Sequence, residues 1–225
     1  EPSRAIDMLG DIIEQFGDHP PSREALEQLL EGHEEVERAA ALLQPFYEQE
    51  GDWENVVRVA KLRAQREQDP VEKFELLLYV AKIYDTQIGD EQEAFNYYLK
   101  AVVMDPGYDE VLNSLRDVAR RADKNRTMGD ALLVASQQKA TEDGRVATQL
   151  AMAAAEAFLN EDAESEDAVS AYLQVLAVEP ESMEALQGLD QLYERQQRWD
   201  PLIGVLQRQV PLAADGDEEL ALRFR

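Results

Sequence analysis

Cysteine is absent from the 225 residues. That removes disulfides and thiolate metal sites but leaves the compartment open, because a cysteine-free chain tolerates either redox environment. Histidine is almost absent too. His19 and His33 fall in predicted connections, without an HExxH or cysteine-rich context, and a metal pair would need Asp18 or Glu34 to converge on them. They read as surface loop residues, and no metal or cofactor is expected. No apolar run approaches the roughly 20 residues needed to cross a bilayer. The opening segment carries Asp7, Asp11, Glu14 and Asp18 where a secretory signal would be basic and then apolar. Membrane insertion is therefore not expected, and cytoplasm is the default compartment.

Positive charge is also scarce. Against 47 acidic residues stand 22 basic ones, a formal charge of -25. Binding to a phosphate backbone would need a local basic patch. Arg116, Arg120, Arg121, Lys124 and Arg126 form one concentration, but Asp117, Asp123 and Asp130 dilute it. Nucleic acid is thus not an expected partner. The acidic excess reads as a solvated outer surface or as a field that steers a basic partner. Valine, isoleucine and threonine are sparse beside leucine, alanine, glutamate and glutamine, which lose little side-chain freedom in a helix. With 44% hydrophobic residues the chain is expected to fold, and to fold as helix.

What is present is a repeat. Residues 90–112, DEQEAFNYYLKAVVMDPGYDEVL, align with 164–186, ESEDAVSAYLQVLAVEPESMEAL. Ala94, Tyr98, Leu99, Pro106, Glu110 and Leu112 match Ala168, Tyr172, Leu173, Pro180, Glu184 and Leu186, each pair 74 positions apart. A second family pairs Tyr47 with Tyr193 and Trp53 with Trp199 at an offset of 146, close to twice that spacing. Two kinds of helical hairpin therefore alternate, one closed by a Gly-Asp-Trp-like turn and the other by an acidic-Pro turn. Phe74, Leu77, Leu78, Ala81, Tyr84 and Ile88 form a helical stripe. Asp69, Pro70 and Glu72 have the spacing of a capping box with a first-turn proline, and Asp90 with Glu93 repeats the box. Ala94, Phe95, Tyr98, Ala101 and Val102 give the returning helix its buried face.

Leu77, Ala81 and Tyr84, then Ala94, Tyr98, Ala101 and Pro106, resemble the tetratricopeptide (TPR) repeat: large, small and aromatic in the first helix, then alanine, aromatic, alanine and proline in the second. The first helix departs by one extra residue before Gly89, and the later copy has a longer acidic turn over 160–166. Arrays that alternate two hairpin types are similar to large TPR proteins of myxobacteria and their relatives. The resemblance implies an all-α, right-handed superhelical solenoid of about six antiparallel hairpins. Units are expected over 1–31, 33–68, 70–106, 107–141, 145–180 and 181–213, in one array over 1–225. The start of a further unit at 217–225 marks the chain as a fragment of a longer protein. The Pro20 to Pro106 spacing of 86 predicts an added helix or a longer connection around Glu31 to Glu35.

A catalytic reading has little to stand on. Carboxylate pairs such as Glu34 with Glu35, Glu48 with Glu50, and Glu218 with Glu219 are expected on solvated helix faces, where nothing raises their pKa. The glycines form neither GxxxxGK[ST] nor GxGxxG. Trp53 and Trp199 suggest ligand stacking, but their matched place at a helix start favours structural wedges between hairpins. The run Ala151, Ala153, Ala154, Ala155 and Ala157 reads as close helix packing. An enzyme is not expected.

The resemblance implies a protein-interaction scaffold whose concave face, lined by first helices, accepts a peptide or partner helix. Candidate contacts are Tyr79, Lys82 and Asp85, with Gln149, Met152 and Glu156 in the later unit. The lysine, asparagine and arginine clamp by which some family members hold an acidic C-terminus is missing, so the expected ligand is basic, mixed or apolar. The alternatives are a structural rod that binds copies of itself and an acidic chaperone for a basic protein.

Overall fold

The computed structural model describes residues 2–17, 19–32 and 35–224. They form thirteen α-helices: α1 (Pro2–Phe16), α2 (Pro20–Leu30), α3 (Val36–Glu50), α4 (Trp53–Arg66), α5 (Pro70–Ile83), α6 (Glu91–Met104), α7 (Asp109–Arg121), α8 (Asn125–Lys139), α9 (Gly144–Glu161), α10 (Glu166–Val178), α11 (Met183–Arg195), α12 (Trp199–Gln209) and α13 (Gly216–Phe224). No strand occurs among the described residues. The protein is all-α, a succession of helical hairpins. It divides into two compact units, Glu1–Met104 and Asp105–Arg225.

Acidic and hydroxyl side chains start most helices by taking backbone N–H groups that have no partner within the helix. Asp52, Asp69, Asp143, Ser165 and Ser182 all cap in this way. Asp69 accepts from Val71 and Glu72 at 2.8 and 3.1 Å, with Pro70 as the first helical residue. Only half of the expected capping box forms, because the N–H of Asp69 donates to Glu67, 2.7 Å away, and not to Glu72. Asp90 likewise accepts from the N–H of Glu93, while its own N–H goes back to the carbonyl of Tyr84. His19 is the N-cap of α2, its Nδ1 accepting from the N–H of Ser22, so it does more than sit in a loop. His33, Asp18 and Glu34 lie outside the described residues.

In the first unit, α3 pairs with α4 and α5 with α6, while α4 packs on α5 and α2 on α3. Because α5 is covered on two sides, its buried set is Leu76, Leu77, Val80, Ala81 and Ile83, wider than the expected stripe; Phe74, Leu78 and Ile88 are only half-buried. The extra residue before Gly89 is absorbed by a π-helical turn, Tyr84–Ile88, closed from the N–H of Gly89 to the carbonyl of Tyr84 at 2.8 Å. Gly89 then takes φ +78, which glycine adopts without strain. The turn lays Tyr84 against Tyr97 of α6, ring centroids 5.9 Å apart. No helix is added among the described residues of 31–35; the connection simply enters α3 through Glu35 at φ 57.

In the second unit α8 lies along α9, and α9 along α10. Ala151, Ala153, Ala154, Ala155 and Ala157 are all buried, as close packing requires. Ser136 of α8 donates to the carbonyl of Ala147 at 2.7 Å within this contact. Pro106 is buried, but its repeat partner Pro180 is exposed, its carbonyl accepting from Arg208. Trp199 departs from the wedge expectation. It begins α12 but is 57% exposed, since α12 is backed only by the short α13, whereas half-buried Trp53 begins α4, which α5 covers.

Two glycines set the helix approach. A Cβ on Gly129 of α8 would stand 2.6 Å from the ring of fully buried Phe158, and one on Gly188 of α11 would meet the ring of Tyr172 closer still. Both rings are buried, so Gly129→Ala and Gly188→Ala are each expected to destabilise the chain by roughly 1–3 kcal/mol, read as a lower urea midpoint. Gly204, inside α12 with nothing within 4 Å, is the control. Gly204→Ala is expected to raise the midpoint, by about 0.5–1 kcal/mol.

Candidate interaction surfaces

In the second unit the first helices of three hairpins, α7, α9 and α11, border one groove of about 310 Å³. Helical periodicity brings this about: Gln149, Met152 and Glu156 lie three and four residues apart, so they share a face of α9. The floor is partly apolar, from Leu112, Met152 and Ala153. Asp109, Glu156, Glu179 and Glu184 contribute carboxylates, and Arg116 and Arg145 contribute guanidiniums. Arg116 is already engaged, donating to Glu156 across α7 and α9. The groove is therefore net acidic. The amide of Gln149 lies against Gly107, with its oxygen buried and accepting no hydrogen bond. Tyr172, beneath α9 and α11, has its phenol pKa raised by burial and further by Glu156 and Glu184.

In the first unit α1 and α3 border a second groove, of about 600 Å³. Its floor is Ile6, Gly10, Ile13, Ala41 and Leu42, and its rim carries Asp7, Asp11 and Glu14. The guanidinium of Arg38 answers two of the nearby carboxylates, donating to Asp7 and to Glu35. Hydrogen bonds from Ser3 and Arg38 hold the Glu35 carboxyl below its usual pKa.

The six candidate contact residues separate into two groups. Gln149, Met152 and Glu156 line the α7/α9/α11 groove together. Tyr79, Lys82 and Asp85 line none of the grooves described here. Tyr79 is half-buried and donates to Glu48 of α3, which also accepts from Gln44; Arg63 of α4 donates to Gln44 at 2.6 Å. That network ties α5 to α3 and α4. Asp85 accepts weakly from Tyr98 at 3.4 Å, and Lys82 is exposed. The repeat-matched tyrosines Tyr47 and Tyr193 are both buried, and each carries an arginine over its ring, Arg23 at 5.0 Å and Arg198 at 4.9 Å. The equivalence extends from spacing to contact, although the two arginines come from different places in their units. The α1/α3 groove was missed by sequence reasoning, yet Ile6, Gly10 and Ile13 recur at helical spacing and mark the face of α1 that forms it. Among the described residues no cluster of histidine, aspartate and glutamate is arranged to hold a metal ion.

No family model matches the chain, and no curated protein does. Among solved structures it is similar to the MamA protein, at 18% identity and a TM-score of 0.41 over 80% of this chain and 92% of that one. It is also similar to YrrB, described as a TPR protein with an unusual peptide-binding site, at 14% identity and 0.40 over 90% and 100%. The TPR2AB domain of yeast Sti1, in a pHSP90 complex, follows at 13% and 0.36 over 99% and 96%. Likeness this loose carries no argument about what this chain binds; the repeat reading rests on its own hairpins.

The Tyr79 phenol is held neutral well above its ordinary pKa of 10.0, first by burial and then by the Glu48 carboxylate. The unfolded chain releases that proton first as the pH climbs. Stability from this source is complete below pH 10 and is lost above it. In a near-ultraviolet alkaline titration, Tyr79→Phe is expected to delete one late-ionising phenol, and the variant's stability should fall less steeply above pH 10 than that of the parent.

Proposed function

We propose that the chain is a non-catalytic interaction scaffold whose first-helix face in the second unit takes a basic, partly apolar peptide segment. The observation that supports this most is the α7/α9/α11 groove, which combines a partly apolar floor with a surplus of carboxylates. A peptide supplies what such a surface lacks: lysine or arginine for Glu179 and Glu184, and an apolar side chain for Met152. The whole-chain charge of -25 would speed the encounter with a basic partner.

The second reading, a rod that binds its own copies, is favoured by the large apolar side chains exposed on α1 and α13: Met8 and Phe16 on one, Leu220 and Phe224 on the other. Mass measured against concentration separates the two readings.

A labelled Lys/Leu amphipathic peptide is expected to bind the chain, with the Glu179→Gln/Glu184→Gln variant weaker by about three- to tenfold and Met152→Ala weaker again. Affinity indifferent to all three positions would sink the groove as the site. Binding that vanishes wholly at high salt would make the protein an acidic electrostatic chaperone instead.

A further inference from the structure

The first unit carries a groove of opposite character, of about 620 Å³, walled by α4, α5 and α6. Second helices α4 and α6 form two of its sides, so it is distinct from the α1/α3 and α7/α9/α11 grooves. Leu77, Tyr97 and Met104 belong to its apolar lining, and no carboxylate lines it. Its charged rim is Lys61, Lys73 and Lys100. The whole chain has lysine only at positions 61, 73, 82, 100, 124 and 139, so half of them gather here in a protein with 47 acidic residues.

Their pairing is unusual for so acidic a chain. Lys61 is held in place, donating to the Tyr84 hydroxyl at 2.5 Å and to Glu93 at 3.3 Å, with its ammonium over the rings of Tyr84 and Tyr97. Lys100 lies 4.1 Å from the centre of the Tyr97 ring and makes no ion pair among the described residues. Lys73 likewise has no carboxylate partner there. Two ammoniums thus border an apolar trough without a counter-charge, while carboxylates are abundant elsewhere on the surface. The trough follows α6 from Tyr97 to Met104, seven residues or about 10 Å of helix, the separation of i and i+7 anchors on a partner helix.

We propose that this groove docks an acidic amphipathic helical segment of a partner protein, with its apolar stripe on Leu77, Tyr97 and Met104 and its carboxylates on Lys73 and Lys100. Charge complementarity selects the occupant: a basic segment would meet the lysines, and a purely apolar one would leave them unanswered. An open trough walled by three helices suits a segment lying along the surface better than a small molecule needing enclosure.

The test is fluorescence anisotropy on the intact chain with a labelled Glu/Leu amphipathic helical peptide. Ionic strength of about 0.15 M limits the repulsion from the rest of the surface to roughly 8 Å. Lys73→Glu/Lys100→Glu is expected to weaken binding by about tenfold or more. Lys124→Glu/Lys139→Glu makes the same change in net charge outside the groove and is expected to leave affinity within about twofold, which removes global charge as the explanation. Circular dichroism confirms that both variants are folded. The proposal is overturned if the two double variants bind alike, if a Lys/Leu peptide competes at this site as well as the acidic one, or if oleate alone binds with the Lys73 and Lys100 dependence, which would reassign the groove to a small amphiphile. Because Glu179 and Glu184 are untouched, failure here leaves the first-helix reading standing.

Discussion

Close helix approach is the constraint on which the rest of this structure depends. Phe158 can pack against α8 only because position 129 has no side chain, and Tyr172 against α11 only because position 188 has none. Around these two points α9 presents one alanine after another to its neighbours. Small residues bring backbones together, and large rings then fill the space between successive helices at the density of a protein interior. Every exposed groove described above is a consequence, since a groove is what remains between helices whose spacing the core has already set.

Electrostatics works at a second level. A charge of -25 offers little stability and some self-repulsion, yet it is not spread evenly. Carboxylates rim the two first-helix grooves, and lysines gather at the α4/α5/α6 groove, whose lining has none. Many cross-helix ion pairs, such as Arg23 with Glu50 and Arg126 with Asp167, are at least partly solvated and contribute little to folding. Their effect is to fix which charges remain for a ligand. Arg116 is an example: its pair with Glu156 withdraws one charge of each sign and leaves Asp109, Glu179 and Glu184 against Arg145 in the groove they border.

Tyrosine positions carry the repeat more faithfully than proline or tryptophan does. Tyr47 and Tyr193 are both buried with an arginine over the ring, and Tyr98 and Tyr172 are both buried in second helices. Trp53 and Trp199 share a position in the repeat but not an environment, and the same is true of Pro106 and Pro180. A side chain at a helix end depends on what packs beyond that end. One in the middle of a helix depends mainly on its own hairpin.

That distinction also separates what could be read from residues from what needed coordinates. Helix positions, the hairpin order, the Asp69 cap and the irregularity before Gly89 are local: they follow from periodicity of 3.6, capping chemistry and chain length, all of which one sequence contains. The face shared by Gln149, Met152 and Glu156 was legible for the same reason. Tertiary structure alone decided that α7 and α11 close around that face while Tyr79 is consumed by Glu48. It alone decided that the extra residue becomes a π turn stacking Tyr84 on Tyr97, and that lysines 61, 73 and 100 from three helices meet at one trough. Those outcomes depend on distances between residues far apart in the chain, and the residues that meet there carry no mark of it in their own neighbourhoods.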